Sequence, residues 1–222
     1  MFRITIIVLL HFIGVIGCAA QMGRPLNDLG FLRNDYGREL SKVSFDSLIV
    51  FSNKRVKISF QYDSMQVAHY LSESEFVAKM REENNKVDPG FGDQWAEEWY
   101  SSRKTIYEPR FIRKLISLTS IAPILFIEDS SYDYNFVVYT TKIDMGPEEF
   151  LVESVATIDA KIVIENRQGI SLGFVLCNYV PGRNFSGTYK SDFDKIGECY
   201  AKLAKEFYLL ALKKEIDKKP SH

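Results

Sequence analysis

The sequence predicts an α+β domain of two layers, a mixed β-sheet with helices mainly on one face and a long C-terminal helix packed on the sheet. Three observations carry this reading. Residues 55–62 place Val56, Ile58, Phe60 and Tyr62 in alternation with Arg55, Lys57, Ser59 and Gln61, the period of a half-buried strand. A hairpin pattern follows much later, with Asn166-Arg167-Gln168-Gly169 as its turn. Phe193, Ile196, Tyr200, Leu203, Phe207 and Leu210 then recur at helical spacing, with charged residues on the opposite side. Strands and helices in this order bury their apolar faces most simply as a sheet covered by helices.

The chain begins with Arg3 and an apolar run over residues 4–16, the length of a signal-peptide core and too short to span a bilayer as a permanent helix. Val15-Ile16-Gly17-Cys18 resembles a lipobox, in which Cys18 is acylated and becomes the mature amino terminus. Cleavage after Ala20 is the competing reading, with Cys18 and Ala20 filling the small-residue positions; in a third, Cys18 is one more apolar residue of the leader. Each version of the leader implies export. An acylated Cys18 places the protein in the periplasm or at the outer membrane, touching the membrane only through its lipid; otherwise it is secreted.

Residues 21–44 are polar, carry Gly and Pro, show no clean period and are expected to form a tether or arm. Residues 45–222 are expected to form a single α/β domain. Ser47 to Phe51 is apolar and Ser52-Asn53-Lys54 is turn-like, so a strand should precede the one at residues 55–62. Ser72-Glu73-Ser74-Glu75 is a capping box for a helix reaching about Asn84, and Asp88-Pro89-Gly90 ends it. Asp93 is placed to cap a second helix beginning at Gln94-Trp95, with Trp95, Trp99 and Arg103 on one stripe. Pro109 suits the first turn of a third helix whose inner side is Phe111, Leu115 and Leu118.

Residues 135–143 read as a central strand, and the long connection from Tyr62 suits a parallel crossover. In the hairpin, Ala156, Ile158, Ala160, Ile162 and Ile164 form one face of the outgoing strand. Ile170, Leu172, Phe174 and Leu176 are expected to continue it on the return, which Pro181-Gly182 closes. Ser191 or Asp192 caps the last helix, which runs to about Ile216.

The strand ending in Tyr62-Asp63-Ser64, the run Trp95-x-x-x-Trp99 with Arg103 and Tyr107-Glu108-Pro109, and the closing Ile196-Gly197-x-x-Tyr200-Ala201-x-x-Ala204-Lys205 resemble an uncharacterised family of secreted proteins and lipoproteins from Gram-negative anaerobes. The element order is also similar to small α/β domains of envelope accessory proteins, such as the amino-terminal domain of the Tol system's propeller protein. These resemblances imply an exported α/β module. They bring no chemistry with them.

Charge narrows the function further. With 28 basic and 29 acidic residues the net charge is −1, without the basic footprint of a nucleic-acid binder. Lys213, Lys214, Lys218 and Lys219 gather at the end, where cations complement a helix terminus. His69 is the one histidine between the leader and the final residue, so a histidine-rich zinc site is excluded, and beside Tyr70 it reads as a packed residue. Cys177 and Cys199 form no CxxC and read as core thiols. Facing opposite sides of the sheet, they are expected to stay unlinked.

No catalytic or metal residue is assigned and no cofactor is expected. The candidate ligand-binding residues are Tyr62, Asp63, Ser64 and Asp144. Each aspartate follows a strand, and parallel neighbours would bring both to the carboxyl edge where open α/β sheets bind ligands. The same aspartates also read as ordinary turn formers. The leading functional reading is a non-enzymatic envelope module, lipid-anchored, that binds an envelope protein or a small ligand. The alternative is a periplasmic hydrolase or metal-assisted enzyme using Asp63 and Asp144.

Overall fold

The computed structural model describes residues 31–33, 39–45, 51–70, 72–120, 124–146, 155–182 and 191–216. The leader with Cys18, residues 46–50 and the final lysines lie outside them. The elements are β1 (Phe31–Arg33), β2 (Glu39–Phe45), β3 (Arg55–Gln61), β4 (Gln66–Val67), α1 (Glu73–Val87), α2 (Phe91–Ser102), a π-helical turn (Arg103–Tyr107), α3 (Glu108–Thr119), β5 (Leu125–Ile127), β6 (Tyr134–Asp144), β7 (Thr157–Asn166), β8 (Ser171–Pro181), α4 (Asp192–Phe207), a second π turn (Tyr208–Leu212) and α5 (Lys213–Ile216). The strands form one mixed sheet in the order β1-β2-β8-β7-β6-β3-β5, with β4 paired to β6.

The expected crossover is present. β3 and β6 are parallel neighbours, Val56 pairing with Tyr134 and Gln61 with Tyr139, and α1 to α3 lie between them in sequence. β7 and β8 complete an antiparallel meander from β6. The helices lie mainly on one face. On it Phe60 meets Phe111 of α3 edge-on at 5.5 Å, and Phe136 meets Phe207 of α4 at 5.0 Å. Phe136, Val138, Ile162, Ile164 and Val175 are buried beneath these helices. The other face is more open, with Lys57 over the Tyr132 ring and Lys161 over Phe174.

Local chemistry explains the helix ends. Ser72 accepts a hydrogen bond from the Glu75 amide at 3.2 Å, the forward half of the expected capping box. α1 runs on to Val87, and Gly90, at φ +91°, supplies the left-handed residue that lets α2 start at Phe91 rather than at Gln94. Asp93 pairs instead with Arg81 of α1. At Gly92 an added Cβ would lie 2.0 Å from the Arg81 carbonyl oxygen, so the two helices cross where only glycine fits.

Three expectations change. Within the stretch expected as a polar arm, Phe31–Arg33 and Glu39–Phe45 are sheet strands, with Ser41 opposite Cys177 and Val43 opposite Val175. Backbone ladders need no apolar periodicity, and Val43 packs against the core. Pro109 lies in the first turn of α3 as expected, but α3 is not set apart from α2. α2 continues through the π turn into α3.

The third change concerns β8. Its helix-facing residues are Val175 and Cys177, fixed by pairing with Ile162 and Ala160 of β7, while Phe174 and Leu176 are half-buried on the open face and Leu172, skipped by a register shift, packs against the core. Both faces of this strand carry apolar residues, so alternation alone could not choose between them. Cys177 therefore shares the helix-facing side with Cys199, and the expectation of opposite faces is corrected. Both thiols are free. Cys199 lies by Gly182, beyond the end of β8, where its thiol bonds to the Ala156 carbonyl at 3.3 Å. Cys177 sits several residues back along the strand, so the separation runs along the sheet rather than across it.

Candidate functional site

The π turn sets the geometry of the most polar part of the core. An extra residue in one helical turn widens the helix and shifts which side chains face inward. Here Ser102, Arg103, Tyr107 and Glu108 come against the sheet and α4. Opposite them stand Tyr62, just past β3, Thr140 in β6 and Tyr200 in α4. The Tyr107 and Tyr200 rings stack at 5.2 Å and 5°. The Thr140 and Tyr200 hydroxyls share a hydrogen bond of 2.6 Å.

Arg103 closes the outer side. Its guanidinium carbon lies 4.3 Å from the centre of the Tyr62 ring and 5.3 Å from that of Tyr100. Arg103 also donates to Glu73 Oε1, which accepts the Trp99 indole N–H at 2.5 Å. Glu108 Oε2 accepts from Lys104 Nζ at 2.9 Å.

Four buried oxygens of this cluster make no well-formed hydrogen bond among the described residues: Tyr62 Oη, Ser102 Oγ, Tyr107 Oη and Glu108 Oε1, although the Tyr62 phenol lies near enough to Tyr200, and the Tyr107 phenol near enough to Ser102, to interact with it. Ser102 is 1% exposed, Tyr107 2% and Glu108 8%. Each such group left unsatisfied costs about 1–3 kcal/mol, a large sum against the net stability of a domain. Burial pushes the phenols of Tyr62, Tyr107 and Tyr200 well above the ordinary tyrosine value, and for Tyr62 and Tyr107 the neighbouring Tyr200 adds to it. All three remain neutral at ordinary pH. The cluster is thus built to give and accept hydrogen bonds.

Of the sequence-predicted ligand residues, only Tyr62 enters this cluster. Asp63 and Ser64 are exposed in the turn closed by the Met65 amide on the Tyr62 carbonyl, and Ser64 takes φ +63°. This turn interrupts the pairing with β6, which stops at Gln61 opposite Tyr139 and resumes at Gln66 opposite Lys142. Asp63 thus leaves the sheet before β4, whereas Asp144 ends β6 beyond it. Asp144 Oδ1 accepts from the Gly146 amide at 3.0 Å and Oδ2 lies 3.9 Å from Lys142 Nζ. No contact among the described residues joins the two aspartates.

Of the other residues that could carry chemistry, His69 is exposed, while the two tryptophans and two cysteines are packing residues. His69 lies against Tyr70, ring centres 4.2 Å apart. Trp95 and Trp99 stack on each other at 5.5 Å beside Phe76 and Phe193. Burial pushes the Cys177 thiol up to about 12 and the Cys199 thiol higher still, so neither forms a thiolate near neutral pH. Among the described residues no group of three or more His, Cys, Asp or Glu side chains is placed to hold a metal. Sequence reasoning missed Ser102, Glu108 and the polar role of Tyr107 and Tyr200.

A mixed open sheet with helices against one face defines the chain as an α/β module; no described helix is long and apolar enough to cross a membrane. No family model matches the chain, and no curated protein matches it significantly. Among solved structures it is similar to the PelC dodecamer from Paraburkholderia phytofirmans, with 10% identity and a TM-score of 0.34 over 77% of this chain and 95% of that one. A point variant of that PelC dodecamer gives 8% identity and a TM-score of 0.32 over 77% of this chain and 96% of that one. This likeness is distant and assigns no role.

Proposed function

We propose that the protein is a non-enzymatic module of the cell envelope, anchored through acylated Cys18, that binds a small polar ligand between the π turn and the sheet. One observation carries the binding reading: Tyr62, Ser102, Tyr107 and Glu108 turn unpartnered oxygens into one buried region. That region borders solvent at Arg103, whose side chain is 20% exposed. The anchor rests on the apolar run over residues 4–16 that leads into Gly17-Cys18. A terminal cysteine with two or more acyl chains would hold the domain stably at a membrane, which one chain would not.

Both halves are testable on the full chain in its native envelope. Metabolic labelling with a palmitate analogue marks the wild-type protein, and Cys18→Ala abolishes the mark and releases the protein. An unlabelled, freely soluble protein beginning at Gln21 rejects the anchor. For the binding half, the low-molecular-weight extract of the same envelopes is added to labelled protein in NMR. Amide shifts concentrated at residues 102–108 and at Thr140 support the site, and their absence rejects it.

A further inference from the structure

Resting on that reading, we infer that the ligand of the Tyr62–Ser102–Tyr107–Glu108 cluster is neutral and binds through a hydroxyl group. The four unpartnered oxygens limit the chemistry. Three are hydroxyls, each able to donate and accept, and the fourth is a carboxylate oxygen that only accepts. A group filling this region must therefore donate to Glu108 and exchange hydrogen bonds in either sense with Tyr62, Ser102 and Tyr107. A hydroxyl does both.

Charge selects neutrality. Glu73 is matched by Arg103, and Glu108 by Lys104. The phenols stay protonated because burial opposes their ionisation. A cation would sit beside the Arg103 guanidinium, which already covers the Tyr62 ring. An anion would face Glu108 Oε1 with no unpaired positive group among the described residues of the cluster. Either ion would be desolvated without a compensating charge. Solvent water and the hydroxyl of a small polyol supply the same chemistry.

Water–protein cross-relaxation and probe titrations on the full-length protein test this, with glycerol, potassium ion and formate as probes. We expect long-lived water contacts at the Ser102 and Tyr107 hydroxyl protons, or saturable glycerol binding that displaces them. Water contacts alone make solvent the source. They sustain the hydroxyl assignment while removing the small-ligand half of the proposed function. Saturable glycerol binding sustains both.

Ser102→Ala or Tyr107→Phe should weaken glycerol about tenfold, or remove the water contact. Glu108→Gln, which keeps an acceptor, should retain it. If Tyr107→Phe does not fold, Ser102→Ala carries the test. Saturation by potassium or formate, with neither glycerol nor water at the site, overturns neutrality and leaves the binding reading standing. A cluster touched by neither water nor any probe overturns both.

Discussion

The Thr140 hydroxyl lies 2.6 Å from the Tyr200 hydroxyl, with both residues buried, and this one bond ties the middle of β6 to the middle of α4. A hydrogen bond so placed contributes about 0.5–1.5 kcal/mol net, while stranding one partner costs about 1–3 kcal/mol. Tyr200→Phe and Thr140→Val should therefore each destabilise by about 1–3 kcal/mol, and the double variant by less than their sum. A urea-denaturation double-mutant cycle measures the coupling, which should lie within about 0.5–3 kcal/mol. Strict additivity would show that the bond contributes nothing.

The same burial makes the fold sensitive to alkali. Folding raises the values of Tyr62, Tyr107, Tyr200, Cys177 and Cys199 above the 10.0 and 9.0 of free phenol and thiol. In the unfolded chain these groups lose protons first, so the folded state binds more protons and stability falls as pH rises. It is fully present below about pH 9, the unfolded thiol value, and declines above it toward the raised folded values. Each such group adds about 1.4 kcal/mol per pH unit in that window. Tyr107→Phe should flatten the slope of unfolding free energy between pH 10 and 11 by about one such increment.

Cys177 and Cys199 should be chemically silent in the native state. A thiol-reactive dye should label neither Cys177 nor Cys199 until denaturant unfolds the chain, because burial keeps both protonated and covered. Fast labelling of either one in native buffer would contradict its place in the core.

Gly182 and Gly197 should respond differently to alanine. A Cβ at Gly182 would lie 2.1 Å from the Lys195 carbonyl oxygen, in backbone that cannot retreat without moving α4. At Gly197 the nearest atoms are side-chain ends, Ile106 Cγ2 at 2.7 Å and Arg110 Cδ at 2.9 Å. Gly182→Ala should cost about 3 kcal/mol or more and Gly197→Ala about 1 kcal/mol, given the usual range for overpacking. Thermal melts of the two variants check the order.

The two candidate aspartates should also differ. Asp144→Ala removes the acceptor for the Gly146 amide and should cost about 1 kcal/mol, as a lost cap does. Asp63→Ala, in an exposed turn, should change stability by less than about 0.5 kcal/mol. If both variants instead weakened binding of the same ligand with folding intact, the separation of these residues would be wrong.

Much of the architecture was legible because periodicity reports burial. The alternation at Val56 to Phe60, the Asn166 turn and the stripe from Phe193 to Phe207 all fall where expected. Beyond Phe207 the stripe moves to Ala211 and Leu212, because the second π turn inserts a residue that no 3.6-residue period anticipates. The inward face of β8 was hidden for a different reason. Phe174 and Leu176 are larger than Val175 and Cys177, yet partner strands, not side-chain size, decide which face meets the helices. The polar cluster was illegible as a whole. Tyr62, the stretch from Ser102 to Glu108, and Tyr200 lie far apart in sequence, and only the widened turn and the parallel crossover bring them together.

The order of the sheet also governs when the fold can close. β2 lies early in the chain, yet its neighbour is β8, formed from residues near the other end. Until β8 has emerged, β1 and β2 have no sheet to join and expose unpaired edges. Such long-range pairing raises contact order and slows folding. A chain released before its last third is made should therefore hold its first two strands apart from the rest of the sheet, with the β8-facing edge of β2 open to proteolysis and to edge-to-edge aggregation.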